Sequence, residues 1–261
     1  TDMAAELTSR TEGQTLVLTL NHPGQLNTLS PDMYAAGIEA LNGAERSAEV
    51  RSVVLTGADG LFSAGGDLAR LRANRKYPPA VQAASIDALH DWIETIRAYP
   101  KPIVAAVEGA AAGAGFSLVL ACDFTVASRS ARFSLAYSRV GLSPDGGASW
   151  ALAHAVPRAL AAQWLMLGEA VSAERLHALG LINRLTEPGA ALAGALDLCA
   201  DLNAHAPNVL ASVKELLSEA VGSDLHAQLA RERRHFVENL HHENAGEGIA
   251  AFFDKRAPLF R

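Results

Sequence analysis

Residues 101–123 read KPIVAAVEGAAAGAGFSLVLACD, and the fold turns on them. Pro100 and Pro102 stop any helix that reaches this point. IVAAV (103–107) is a short apolar run with β-branched residues, the pattern of a strand buried on both faces. Alanine and glycine then crowd a turn, and AAAGAGFSLVLA (110–121) reads as an alanine-rich buried helix. A buried strand that runs through a small-residue turn into a helix is a unit of α/β architecture. Such a turn lets a ligand approach the backbone, and the helix start offers free N–H groups carrying partial positive charge.

The same unit occurs upstream. VRSVVLTG (50–57) is a short buried strand ended by glycine, and LFSAGGDL (61–68) is the glycine-rich turn after it. Tight packing alone can account for one such turn. Two of them, each after a parallel-type strand, can aim two N–H donors at one oxygen, which is an oxyanion hole.

Outward from these units, QTLVLTL (14–20) alternates as a strand. SPDMYAAGIEALNGA opens a helix with Ser30 as N-cap and Pro31 at the first helical position. Ile86, Leu89, Ile93 and Ile96 fall at helical spacing in IDALHDWIETIRA (86–98). DFTVAS and ARFSL read as a pair of short strands, and VSAERLHALGLINRL (171–185) as a helix capped by Gly180, then a strand. From Ala190 onward the pattern is helical, broken near Pro207 and Gly222. TEPGA (186–190) is the linker-like break, so the chain divides into an α/β core, 1–189, and a helical region, 190–261.

Composition narrows the function. The chain has 261 residues, 49% hydrophobic and 19% charged, which suits one large globular domain or a domain with a helical appendage. Lys and Arg number 22 against 28 Asp and Glu, a net charge of −6 that disfavours nucleic acid as a partner. Cys122 and Cys199 lie in apolar runs and read as reduced, packed thiols of a cytoplasmic protein. TDMAAELTSR (1–10) has neither the basic nor the apolar part of a signal peptide. AAAGAGFSLVLAC is too short to span a bilayer, so no membrane partner is expected.

Several chemistries fail on spacing. There is no G-x-G-x-x-G and no Walker lysine. GFSLV (115–119) lacks the last glycine of a nucleophile elbow, so Ser117 reads as a packing residue. His235, His241 and His242 lack H-E-x-x-H spacing, and no metal site is expected. His90 reads as a packed or partly exposed helix residue. ARLRANRK (69–76) and DKR (254–256) read as solvated cationic faces, open to an anionic ligand. One acid stands out: Asp145 in GLSPDGGASW (141–150), between a proline and two glycines. It is either the N-cap of the following helix or a catalytic acid or base on a loop.

LNHP…LNTLS (20–30), LFSAGGDL, residues 101–123, ARFSLAYSRVGLSPDGGASWAL (131–152) and AAFFDKRAPLF (250–260) resemble the crotonase superfamily, the enoyl-CoA hydratase/isomerase group, over nearly the whole chain. The resemblance implies a ClpP/crotonase-type spiral of ββα units, with a C-terminal helical region that builds homotrimers, commonly paired into hexamers. It implies an acyl-CoA substrate and no separate cofactor, coenzyme A being part of the substrate. The thioester oxygen would be held by the amides of Gly66 and Ala114, the latter standing where glycine is more usual. Ala64, Gly65, Asp67 and Leu68 would wrap the pantetheine, Lys255 would meet CoA, and Tyr137 would face the substrate.

Hydratases of the group carry two glutamates, and here Ser117 and Tyr137 stand in their places. Asp145 falls where double-bond isomerases and the ring isomerase of phenylacetate degradation carry a single acid, and where aryl-CoA dehalogenases carry a nucleophilic aspartate. The resemblance therefore implies an isomerase with Asp145 as acid/base. The alternatives are a hydratase with a rearranged site, a catalytically silent acyl-CoA-binding member, or a serine peptidase of related spiral fold that places Ser117 near a His–Asp pair.

Overall fold

The computed structural model describes residues 5–261. The strands are β1 (Glu6–Glu12), β2 (Thr15–Asn21), β3 (Ser52–Gly57), β4 (Ile103–Val107), β5 (Ala110–Ala112), β6 (Phe124–Ser128), β7 (Arg132–Ser134), β8 (Ala170–Ser172) and β9 (Arg184–Thr186). Six of them form one sheet in the order β1-β2-β3-β4-β6-β9, and β5-β7-β8 form a second. In the large sheet only β1 runs antiparallel to its neighbour; the other pairs are parallel. Parallel neighbours need crossovers, and helices supply them.

The first two crossovers position the site. Helix α1 (Pro31–Glu45) begins as its sequence predicts: the Ser30 side chain accepts from the Met33 amide, and Pro31 occupies the first turn. It leads to β3. The chain then forms the first glycine turn, α2 (Leu68–Asn74) and α3 (Pro79–Ala98) before returning as β4. Helices α1 and α3 pack together where Gly37 lies on Trp92; a Cβ at Gly37 would fall 2.3 Å from the indole. The fourth strand enters the second glycine turn.

Here the structure corrects the sequence reading. Residues 110–121 are not one helix: Ala110–Ala112 pair with β7 as β5, and α4 spans Ala114–Ala121. Alanine favours helix in isolation, but the second sheet uses these three residues as a strand. The expected pairing of DFTVAS with ARFSL also fails. Strand β6 joins the large sheet and β7 the small one, so the chain steps from one sheet to the other between them. Within 171–185 the helix is only α7 (Ala173–Ala178), preceded by β8; Gly180 follows it with φ +80°. Strand β1, a mostly exposed edge strand of polar sequence, had no apolar alternation to betray it.

The remaining helices are α5 (Ala148–Ala155), α6 (Arg158–Leu167), α8 (Ala191–Asn203), α9 (Pro207–Ala220), α10 (Leu225–Leu240) and α11 (Glu243–Asp254). The sheet is covered on both faces. One face packs under α1, α3 and α4 through residues such as Leu18, Leu55, Ile103, Trp92 and Phe116. On the other, Val17, Val54, Val104, Ala106 and Val126 meet Ala195, Leu198 and Cys199 of α8. Cys122 and Cys199 are free thiols. Among the described residues no helix is long and apolar enough to cross a membrane.

The close approach of α1 to α3 gives a stability test. Gly37→Ala should destabilise the protein by about 1–3 kcal/mol, because a methyl group must displace the buried indole of Trp92. Urea unfolding followed by tryptophan fluorescence measures the shift; an unchanged midpoint would mean that the helices separate freely.

Candidate active site

The two glycine turns are built into each other. The Ser63 amide donates to Ala110 O (3.0 Å), and the Ala112 amide donates to Ser63 O (2.9 Å), a parallel bridge between the turns. The Ser63 hydroxyl donates to Asn27 O (2.7 Å) and accepts from the Gly65 amide (3.0 Å). Asn27 is buried with φ +51° and anchors the turn with its side-chain amide, which donates to Ala58 O and Leu61 O. Gly65 has φ +86°, and a Cβ there would stand 2.4 Å from Ala112 O and 3.1 Å from Ala114 N. Only glycine allows so close an approach.

This bracing brings Gly66 and Ala114 together in the lining of one cavity of about 430 Å³. Ala114 is the first residue of α4, so its N–H has no intrahelical acceptor. Among the described residues neither amide donates to a protein group. Leu68, Leu71, Ile86, Val140 and Leu142 supply apolar wall, and His90, Tyr137 and Asp145 supply polar groups. Asp145 is the only carboxylate lining the cavity among the described residues.

The loop carrying Asp145 disposes of one of its two readings. Helix α5 is capped by Gly147, with no side-chain cap, so Asp145 is not an N-cap. Its carboxylate instead accepts the Tyr137 hydroxyl at 2.5 Å. Three contacts hold the loop in place. The Ser117 hydroxyl donates to Asp145 O (3.0 Å), the Gly146 amide donates to His90 Nε2 (3.3 Å), and Tyr137 holds the side chain. Gly146 has φ +62°, and a Cβ there would fall 2.7 Å from Ser117 Cβ. The tight turn after Asp145 therefore needs glycine. Burial, and then the charge of Asp145, push the Tyr137 phenol well above its ordinary pKa. Tyr137 stays protonated and donates, leaving the second carboxylate oxygen for other work.

Of the residues singled out in the sequence, Ala64, Gly66, Leu68, Ala114, Tyr137 and Asp145 line the cavity. Gly65 braces it from behind. The Asp67 carboxylate is occupied in capping α2, accepting the Ala69 amide at 2.8 Å. Lys255 is exposed at the end of α11 and does not line the cavity, and Arg256 is engaged by Glu247 at 2.6 Å. Ser117 is buried with its hydroxyl spent on main-chain oxygens, which leaves no nucleophile for a peptidase. His90, which the sequence offers only as a packed or partly exposed helix residue, lines the cavity. Nothing local marks it, because its contact is 56 positions away on the Asp145 loop.

Comparison with known proteins shows the family. The family model for enoyl-CoA hydratase/isomerase matches residues 10–261. The chain belongs to the enoyl-CoA hydratase/isomerase family. It is 34% identical over 253 residues to 1,2-epoxyphenylacetyl-CoA isomerase of Escherichia coli, covering 97% of each chain. It is 30% identical over 256 residues to enoyl-CoA hydratase EchA19 of Mycobacterium tuberculosis, covering 95% of this chain and 94% of that one. The crystal structure of an enoyl-CoA hydratase from Polaromonas sp. JS666 superposes with a TM-score of 0.97 at 61% identity, covering 98% of this chain and all of that one. The fold is thus the crotonase spiral that the sequence resembles.

The short Tyr137–Asp145 hydrogen bond gives a direct test. Tyr137→Phe should leave the fold intact and lower kcat on an enoyl-CoA substrate about 10- to 100-fold, the usual worth of a hydrogen bond to a charged group. Steady-state kinetics and thermal unfolding on the same variant separate the two effects. Full activity would show that the carboxylate needs no such support.

Proposed function

We propose that the protein is an acyl-CoA isomerase that moves a proton, and with it a double bond, along a CoA thioester, with Asp145 as the acid/base. The observation that carries this reading is that, among the described residues, Asp145 is the only carboxylate lining a cavity also lined by Gly66 and Ala114, whose amides have no protein acceptor. A 3-enoyl thioester has acidic protons at C2, between a carbonyl and an alkene. Asp145 removes one of them, and the electron pair spreads into a dienolate whose oxygen lies on the Gly66 and Ala114 amides. The protonated Asp145 then returns the proton to C4, giving the conjugated 2-enoyl thioester. Each oxyanion donor is worth about 2.7–4 kcal/mol of barrier. A single carboxylate is enough, because the same group takes and gives the proton on one face.

Hydration is the second reading, favoured by the names of several relatives. It asks for groups that position water and deliver a proton. Ser117 and Tyr137, at the places of the two glutamates, are both committed to the Asp145 loop. The discriminating experiment gives wild type and Asp145→Asn 3-enoyl-CoA and 2-enoyl-CoA separately, following mass and absorbance. The expected outcome is isomerisation without gain of water in wild type, and a 10²- to 10⁴-fold loss in Asp145→Asn. Hydration of 2-enoyl-CoA that survives in Asp145→Asn would establish the hydratase reading instead.

The same proposal covers the surroundings of the site. The adenosine phosphates of CoA are met by exposed cations, among them Lys255, Arg72 of α2, and Arg75 and Lys76 just past its end. Ala64, Leu68 and the turn around Gly65 and Asp67 hold the pantetheine. No cofactor is needed beyond the CoA that the substrate brings. The working form is a homotrimer or a hexamer in the cytoplasm, assembled through residues 190–261 on the core of residues 1–189. Phe236, Phe252 and Phe253 expose 70–79% of their surface, and α9–α11 frame an apolar groove of about 760 Å³. So much apolar surface is uncommon on a monomer. Light scattering at micromolar concentration should give three or six times the 27.4 kDa chain mass; a stable monomer would refute the assembly.

A further inference from the structure

Helix α3 lines the cavity with one stripe of side chains, Gln82, Ile86 and His90, each four residues after the last. The last of them meets the Asp145 loop. The Gly146 amide donates to His90 Nε2 at 3.3 Å. The carbonyl of the same peptide unit, Asp145 O, accepts the Ser117 hydroxyl at 3.0 Å. One peptide plane is thus held at both ends, by α3 on its N–H side and by α4 on its C=O side. That plane carries Asp145 on one flank and, on the other, a glycine at φ +62°. Its orientation therefore sets where the Asp145 side chain leaves the loop.

An amide N–H needs a lone pair to donate to. His90 Nε2 offers one only while the imidazole is neutral and carries its proton on Nδ1. Protonation sets a second N–H against that of Gly146, and the plane is released at that end. His90 is exposed at the edge of the cavity, so water reaches it. Among the described residues, Tyr137 and Asp145 are the other titratable groups lining the cavity; α2 lines it with Leu68 and Leu71, and α4 with Ala114. Asp87, Asp91 and Glu94 are its acidic neighbours on α3 itself. We propose that His90 is a positioning residue for Asp145: as a neutral imidazole with its proton on Nδ1 it holds the Asp145–Gly146 peptide in place, and turnover falls when this one histidine is protonated. This rests on the reading of Asp145 as the reacting acid/base, and adds to it a second group whose protonation state the reaction depends on.

The test compares wild type with His90→Phe, which keeps a ring but has no acceptor, and His90→Gln, whose Oε1 accepts and does not titrate. His90→Phe should lower kcat about 3- to 30-fold, the range for an amide that loses its acceptor. KM should change little, because the thioester is held elsewhere. His90→Gln should recover most of that loss. The pH profile of kcat/KM carries the distinction. Histidine ordinarily changes charge between about pH 5 and 8. On the acid side the wild-type profile should fall through two ionisations, those of His90 and Asp145, and the His90→Gln profile through one. Thermal unfolding checks that both variants fold.

The same acid limb in wild type and His90→Gln overturns the proposal, as does a loss of stability in both variants with no change in kcat. An acid limb simplified in His90→Gln supports it whether the product followed is isomerised or hydrated, so a failed isomerase reading does not hide the result. A measurement without turnover reads the tautomer directly. The nine histidines are labelled with ¹⁵N in the ring, and the His90 signals are assigned by their loss in His90→Gln. At neutral pH the proton should sit on Nδ1 of His90, with Nε2 bare. A proton on Nε2 refutes the proposal even if the variants lose activity.

Discussion

The double link through Ser63 is the constraint on which the site depends. Its amide and carbonyl join the first glycine turn to β5, and its hydroxyl joins the same turn to Asn27 and Gly65. Strands β3 and β4 are parallel neighbours, so the chain leaves the sheet twice at the same edge. Without a tie, two such exits would be independent loops. With it, the amides of Gly66 and Ala114 belong to one rigid body. Under the proposed function, donors so preorganised cost no reorganisation when charge develops on a thioester oxygen.

The acid is held by a different logic. Asp145 sits on a loop, and loops move. Three elements reach it: Ser117 from α4, His90 from α3 and Tyr137 from the 3-10 turn Ala136–Val140. Ser117 lies on the helix that begins with Ala114, so the Asp145 loop and the second glycine turn share a support. A serine and a tyrosine thus fix one aspartate, each through a single hydrogen bond.

Much of this was legible in the sequence. The two glycine turns, the Ser30–Pro31 helix start and the GLSPDGG loop carry local signals that survive folding, because each is fixed by backbone geometry that few residues can adopt. What was not legible is non-local. The three alanines of β5 look helical until a second sheet pairs with them. Strands β6 and β7 are adjacent in sequence but belong to different sheets. The N-cap reading of Asp145 was locally sound and fell because Tyr137 reaches its carboxylate. His90 has no motif around it; its significance comes from a residue on another element, Gly146.

The central claim is that two backbone amides grip one thioester oxygen beside Asp145. Isotope-edited infrared spectroscopy tests it without turnover. A saturated acyl-CoA labelled with ¹³C at the thioester carbonyl is bound to wild type and to Asp145→Asn. The account predicts that the carbonyl band moves to lower frequency in both, because the polarising donors are main-chain amides that the substitution leaves in place. A bound thioester whose carbonyl absorbs as it does in water would contradict it.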